Sequence, residues 1–159
     1  MYNKWNDVKG KIHSQSPLIH CITSPIAIND CANAVLALGA KPIMAEHPLE
    51  VENITLMSKS LAVSLANITD ARAESIMISG KAACKAGIPS VIDLVGVTCS
   101  KMRADFAKKY ITQCRPAVIK GNVSEIKAVC GMGFDASSGI DVSDKDKVDS
   151  ANPKSIEDM

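Results

Sequence analysis

Short apolar runs alternate along this chain with longer stretches in which apolar residues recur every three or four positions. These are the periods of buried strands and of helices. Trp5, Val8 and Ile12 fall on one face of an opening helix, which Pro17 closes. Leu18-Ile19-His20-Cys21-Ile22-Thr23 then reads as a buried strand stopped by Ser24-Pro25. The Ala- and Leu-rich residues 28–38 predict a helix with Gly39 placed to terminate it. Pro42-Ile43-Met44-Ala45 predicts a second strand, residues 49–58 a helix with Ile54 and Met57 turned inward, and residues 61–65 a third strand. A helix over residues 71–86 is halted by Gly87-Ile88-Pro89, and Ser90-Val91-Ile92-Asp93 forms the fourth strand. Met102, Phe106 and Tyr110, four residues apart, mark the next helix. Ala117-Val118-Ile119-Lys120 is the fifth strand, and residues 124–130 form a helix ended by Gly131.

Strict alternation of strand and helix predicts βαβ units. The fold class is α/β, a parallel sheet with helices on both faces, in a single domain spanning residues 1–159. Residues 135–149 are polar and read as a loop. Asn152-Pro153 has the form of a helix start, an N-cap followed by proline, with less than two turns of chain after it. The expectation is a domain truncated at its C-terminus, just as an element begins.

Composition narrows the function classes. Hydrophobic residues make up 47% and aromatics 3%, so the core is aliphatic. The net charge is +1 with both signs interleaved, which leaves no basic, aromatic-studded stripe for a nucleic acid. No apolar stretch approaches the ~20 residues of a bilayer span, and the first ten residues carry no apolar leader. The expected setting is the cytoplasm, without a membrane partner. Six cysteines occur without a CxxC pair or a histidine at ligand spacing, which favours reduced, buried thiols over a zinc site.

Open parallel sheets bind ligands outside the carboxyl ends of their strands. Thr23-Ser24, Met44, Asp93 and Lys120 all fall there. Asp93 precedes the flexible Val95-Gly96 and can either hold a magnesium ion or cap a neighbouring loop. In Lys120-Gly121-Asn122-Val123-Ser124-Glu125, Asn122 and Glu125 have the spacing of a capping box. The same helix start, with Gly121 and the charge of Lys120, also suits a phosphate. His20 lies within an apolar strand beside Cys21, but consecutive strand residues point to opposite faces. A hydrogen-bonded core histidine is therefore favoured over a catalytic pair.

Four blocks, in order, carry a family resemblance: residues 18–23 as quoted above, Asn33-Ala34-Val35-Leu36-Ala37-Leu38-Gly39-Ala40-Lys41-Pro42-Ile43-Met44-Ala45, Val91-Ile92-Asp93-Leu94-Val95-Gly96-Val97, and residues 118–125. Together they resemble hydroxyethylthiazole kinase of the ribokinase-like superfamily, from about residue 4 onward. The resemblance implies ATP-dependent phosphorylation of the hydroxyl of 4-methyl-5-(2-hydroxyethyl)thiazole in thiamine biosynthesis and salvage. It also implies ATP and Mg²⁺ as cofactors and a trimeric homo-oligomer with active sites between subunits. Carried over by position, Met44, Ser24 and Ala66 would form the substrate site. Asp93 and Glu125 would organise Mg²⁺ and its waters, and Lys120 would face the ATP phosphates.

Four positions depart from the family's usual residues: Ser24 stands for Asn, Ala66 for Gly, Leu94 for Pro and Lys120 for Arg. Lys120 keeps the charge without the bidentate fork, and Ala66 adds a methyl where a backbone would approach a ligand. The family's Thr-Gly-Thr-Gly-Cys segment, which carries the anion hole and the activating side chain, has no counterpart here. No catalytic residue is therefore assigned, and turnover by these residues alone is expected to be impaired. The rival expectation is a non-catalytic thiazole-binding or assembly subunit.

Overall fold

The computed structural model describes residues 2–131, with side chains from Trp5 onward. Helix α1 (Tyr2–Gln15) leads into β1 (Leu18–Ile22), α2 (Ile28–Ala37), β2 (Lys41–Ile43), α3 (Val51–Met57) and β3 (Ser60–Ser64). The chain continues through α4 (Asp70–Ala86), β4 (Ser90–Asp93), a short 3-10 turn (Val97–Cys99), α5 (Lys101–Cys114), β5 (Val118–Lys120) and α6 (Val123–Cys130). The polar stretch 135–149 and the helix start at Asn152-Pro153 lie outside the described residues.

All five strands run parallel in the order β2-β1-β3-β4-β5. The chain steps outward from β1 to β2, then returns past β1 to β3 and continues the other way. Right-handed crossovers must therefore put α2 on one face of the sheet and the later helices on the other. The strand order reverses between β1 and β3, the topological switch point of the sheet.

Alternate residues of each strand meet different surroundings. Ile22, Leu61, Val63 and Ile92 are buried with Ile76, Ala83, Ala107, Tyr110 and Ala128 in one core beneath α4, α5 and α6. Gly80 lets α4 approach α5 closely: a Cβ there would lie 2.5 Å from a ring carbon of Tyr110 and 2.7 Å from Cys114 Sγ. The opposite face presents the smaller Cys21, Ala62 and Val91, with α2 supplying Cys31, Ala34 and Val35 around a cavity of about 340 Å³.

The opening helix forms as expected, with Trp5 and Val8 59% and 47% exposed among the described residues. Two sequence expectations are corrected. The thiols are not all buried, since Cys21 and Cys114 are buried while Cys84, Cys99 and Cys130 are exposed. In α3 the inward stripe is Val51 and Thr55, while Met57 is exposed. The rotation follows from hydrogen bonding: Thr55 Oγ1 lies 2.9 Å from the buried His20 Nδ1, and a buried imidazole left without that partner would cost more than exposing a thioether.

Candidate functional site

The carboxyl ends of the strands form one rim, where Asp93 and Lys120 end β4 and β5, Ser24, Met44 and Ala66 lie on the loops beyond β1, β2 and β3, and Glu125 sits in the first turn of α6. Ser24 is buried just beyond β1. It lines a cavity of about 450 Å³ with Pro25 and Ile26, with Ala66 and Asn67 beyond β3, and with Val95, Gly96 and Cys99 beyond β4. The switch point explains the juxtaposition, because β1 and β3 are neighbours although their paired residues lie 41 positions apart in sequence, Ser60 being opposite Ile19 and Leu61 opposite His20. Met44 emerges half-buried at the same rim, on the far flank of β1, and is not among the residues lining this cavity.

His20 stands beneath Met44's loop. Its Nε2 lies 2.8 Å from the Ala45 carbonyl, which can only accept, so Nε2 carries the proton and Nδ1 accepts from Thr55. Both ring nitrogens are engaged, as expected for a core histidine, and burial lowers its pKa. Cys21, on the opposite face of β1, has its thiol pushed up to about 11, chiefly by burial.

Asp93 and Lys120 end adjacent strands in register. Lys120 Nζ donates to Asp93 Oδ1 at 3.0 Å, and the Val95 amide donates to the same oxygen at 3.4 Å. Polar Ser64, Asp93 and Lys120 thus form one row across three strands, and Thr23 follows the last paired residue of β1. Glu125 is buried and takes a different part. Its Oε2 accepts from the Asn122 amide at 2.8 Å, completing the capping box, while Oε1 accepts from the Gly96 amide at 3.0 Å. The carboxylate therefore ties the β4–α5 loop to the start of α6. Gly96 has φ +75, which a side chain would strain. Leu94, fully buried, packs beneath Gly121.

Mg²⁺ characteristically takes one or two carboxylates and completes its octahedron with water and phosphate oxygens. Among the described residues no group of three or more His, Cys, Asp and Glu could cage a metal. The carboxylate of Asp93, beside a lysine suited to phosphate, matches that donor set, with Glu125 fixing the loop that follows Asp93.

Two arginines escaped the sequence reading. Arg72 and Arg103 each occupy the third position of a helix whose N-cap hydroxyl, Thr69 or Ser100, accepts from that arginine's own amide. Arg72 then donates to the Thr23 carbonyl at the end of β1. Arg103 donates to the Leu65 and Ala66 carbonyls at the end of β3 and lines the cavity. The signal was available: a cation opposes the helix dipole in a first turn, so an N-cap followed three residues later by Arg marks a side chain placed for another purpose.

Comparison with known proteins places these features in a family. Residues 10–156 match the model of the hydroxyethylthiazole kinase family. The chain is 62% identical over 135 residues to hydroxyethylthiazole kinase 2 of Clostridium botulinum strain Hall, covering 85% of this chain and 51% of that protein. It is 46% identical over 129 residues to hydroxyethylthiazole kinase of Finegoldia magna, covering 81% and 48%. The solved hydroxyethylthiazole kinase structure from Pyrococcus horikoshii superposes with a TM-score of 0.75 at 29% identity, over 79% of this chain and 49% of that one. The chain thus spans about half the length of these relatives. On the family match, the parallel sheet and the four blocks at its carboxyl rim, the chain belongs to the hydroxyethylthiazole kinase family.

Proposed function

We propose that these residues form the thiazole, metal and phosphate subsites of a kinase that transfers the γ-phosphoryl of ATP to the hydroxyl of 4-methyl-5-(2-hydroxyethyl)thiazole. The observation that carries the reading is the Asp93–Lys120 pair, 3.0 Å apart at the rim, two residues before the Val95 and Gly96 that line the cavity shared by Ser24 and Ala66. Ser24, Ala66 and Met44 hold the thiazole. Asp93 holds Mg²⁺, and Lys120 turns from Asp93 to a phosphate oxygen. Bound magnesium would neutralise phosphate charge. Phosphoryl transfer is mostly positioning and charge neutralisation, for which groups fixed at strand ends are well suited. Glu125 keeps the Asp93 loop in place through the Gly96 amide.

Ile26 lines the cavity yet is 95% exposed, which supports a pocket completed by a second copy of the chain. The proposed assembly is a homotrimer, and the proposed setting is the cytoplasm. The test combines hydrogen exchange with calorimetry. Hydroxyethylthiazole is expected to protect residues 24–27, 44 and 66–67. Mg²⁺–ATP is expected to bind the parent chain and to lose at least about tenfold in affinity in Asp93→Ala, the scale of one charge-assisted contact. Protection confined to other regions would remove the thiazole assignment. Loss of turnover by these residues alone is expected on either reading, so the rival is tested on protein from the natural source: binding of both ligands there, with no phosphorylated thiazole detected by mass spectrometry, would favour the non-catalytic binding subunit.

A further inference from the structure

Ser24 and Met44 leave the sheet on different loops, β1–α2 and β2–α3, and a shared ligand requires the two to keep one relative position. Among the described residues, Arg72 touches both. It is only 4% exposed. One guanidinium nitrogen donates to the carbonyl of Thr23, the residue before Ser24. Another lies 3.4 Å from the carboxylate of Glu46, two residues after Met44.

The surrounding bonds show how the remaining freedom is removed. Ser75 Oγ donates to the Glu46 carbonyl at 2.7 Å, and His20 Nε2 donates to the Ala45 carbonyl at 2.8 Å. These anchor the β2–α3 loop to α4 and to β1 from below, but neither reaches the β1–α2 loop. Arg72 gains nothing from its helix position, where the dipole disfavours a cation. Its Nε is buried without a hydrogen-bond partner, so the contacts at its two ends dictate where the guanidinium sits. Arg103, at the equivalent position of α5, reaches only the end of β3 and makes no such bridge.

We infer that Arg72 is a positioning residue that couples the two loops of the thiazole pocket, through the Thr23 carbonyl on one side and the Glu46 carboxylate on the other. The inference rests on the reading of Ser24 and Met44 as pocket walls. Arginine suits the task because its planar fork can donate in two directions at once, whereas a lysine ammonium on a flexible stem cannot hold both loops in fixed geometry.

The experiment uses Arg72→Lys, Glu46→Gln, their combination, and Arg103→Lys as a comparison. In ligand-free protein, Arg72→Lys is expected to raise amide exchange about tenfold in residues 24–27 and 44–47 together, as for loss of one charge-assisted bond. Arg103→Lys should instead loosen residues 65–67. Hydroxyethylthiazole affinity, by calorimetry, should fall about tenfold in Arg72→Lys and in Glu46→Gln, and hardly further in the combination, because both changes cut one link. Exchange that rises in one loop only, additive losses of affinity, or unchanged affinity would overturn the coupling role. If the parent chain shows no thiazole-induced protection at Ser24 and Met44, the pocket reading fails. The ligand-free exchange then still decides whether Arg72 couples the loops.

Discussion

The two faces of the sheet are built from alternate residues of the same strands, yet they carry different burdens. On the covered face, Ile22, Leu61, Val63 and Ile92 are sealed by α4, α5 and α6. On the other face, Cys21, Ala62 and Val91 are smaller, α2 stands beside them, and the row nearest the carboxyl rim is polar. Apolar burial contributes about 25 cal/mol per Å², so the covered face supplies most of the sheet's stability. The face toward α2 can then hold Ser64, Asp93 and Lys120, which a tightly packed core would exclude unless they were fully paired.

This contrast is sharpest in truncations of neighbouring residues. Ile92→Ala should cost roughly 2–5 kcal/mol in denaturant unfolding, whereas Val91→Ala, one residue away and half-buried, should cost less than about 1 kcal/mol. Equal losses would mean that the face toward α2 is packed as firmly as the covered one.

His20 provides a smaller, pH-dependent effect on the covered side. Burial holds its pKa below the 6.5 of an unfolded histidine, so over that window the unfolded chain binds more protons. Its contribution is therefore full above pH 6.5 and is lost as pH falls toward the lowered folded value. The slope from this one group is at most about 1.4 kcal/mol per pH unit. Denaturation measured from pH 7 to 5 should show that component in the parent chain and lack it in His20→Gln. An unchanged slope in the variant would assign the acid sensitivity to other groups.

The smallest change in stability is expected at the rim. Lys120 is 65% exposed in its pair with Asp93, and such pairs contribute at most about 1 kcal/mol. Asp93→Asn should leave the thermal midpoint nearly unchanged while weakening Mg²⁺–ATP binding. A large loss of stability would make Asp93 a structural residue of the fold.

Much of this architecture was legible along the chain, for reasons that lie close to the backbone. The order of strands and helices follows from local periodicity. Gly39 and Gly131 end their helices at positive φ, and the Asn122–Glu125 box forms as its spacing required. His20 was readable as a core histidine because its neighbours are apolar. The facing of α3 was not readable, because Thr55 turns inward only to meet a histidine 35 residues away.

Tertiary structure alone decided the site. Nothing local says that the strand order reverses at β1, yet that reversal brings Ser24 beside Ala66 and leaves Met44 on the opposite flank. Glu125 completes its capping box whatever surrounds it, but only the packing of α6 on the β4–α5 loop gives its second oxygen to Gly96. Arg72 and Arg103 each act on carbonyls contributed by distant strands. Hydrophobic periodicity specifies which residues turn inward within an element. Parallel pairing across long crossovers specifies which elements meet, and that information is spread over the whole chain.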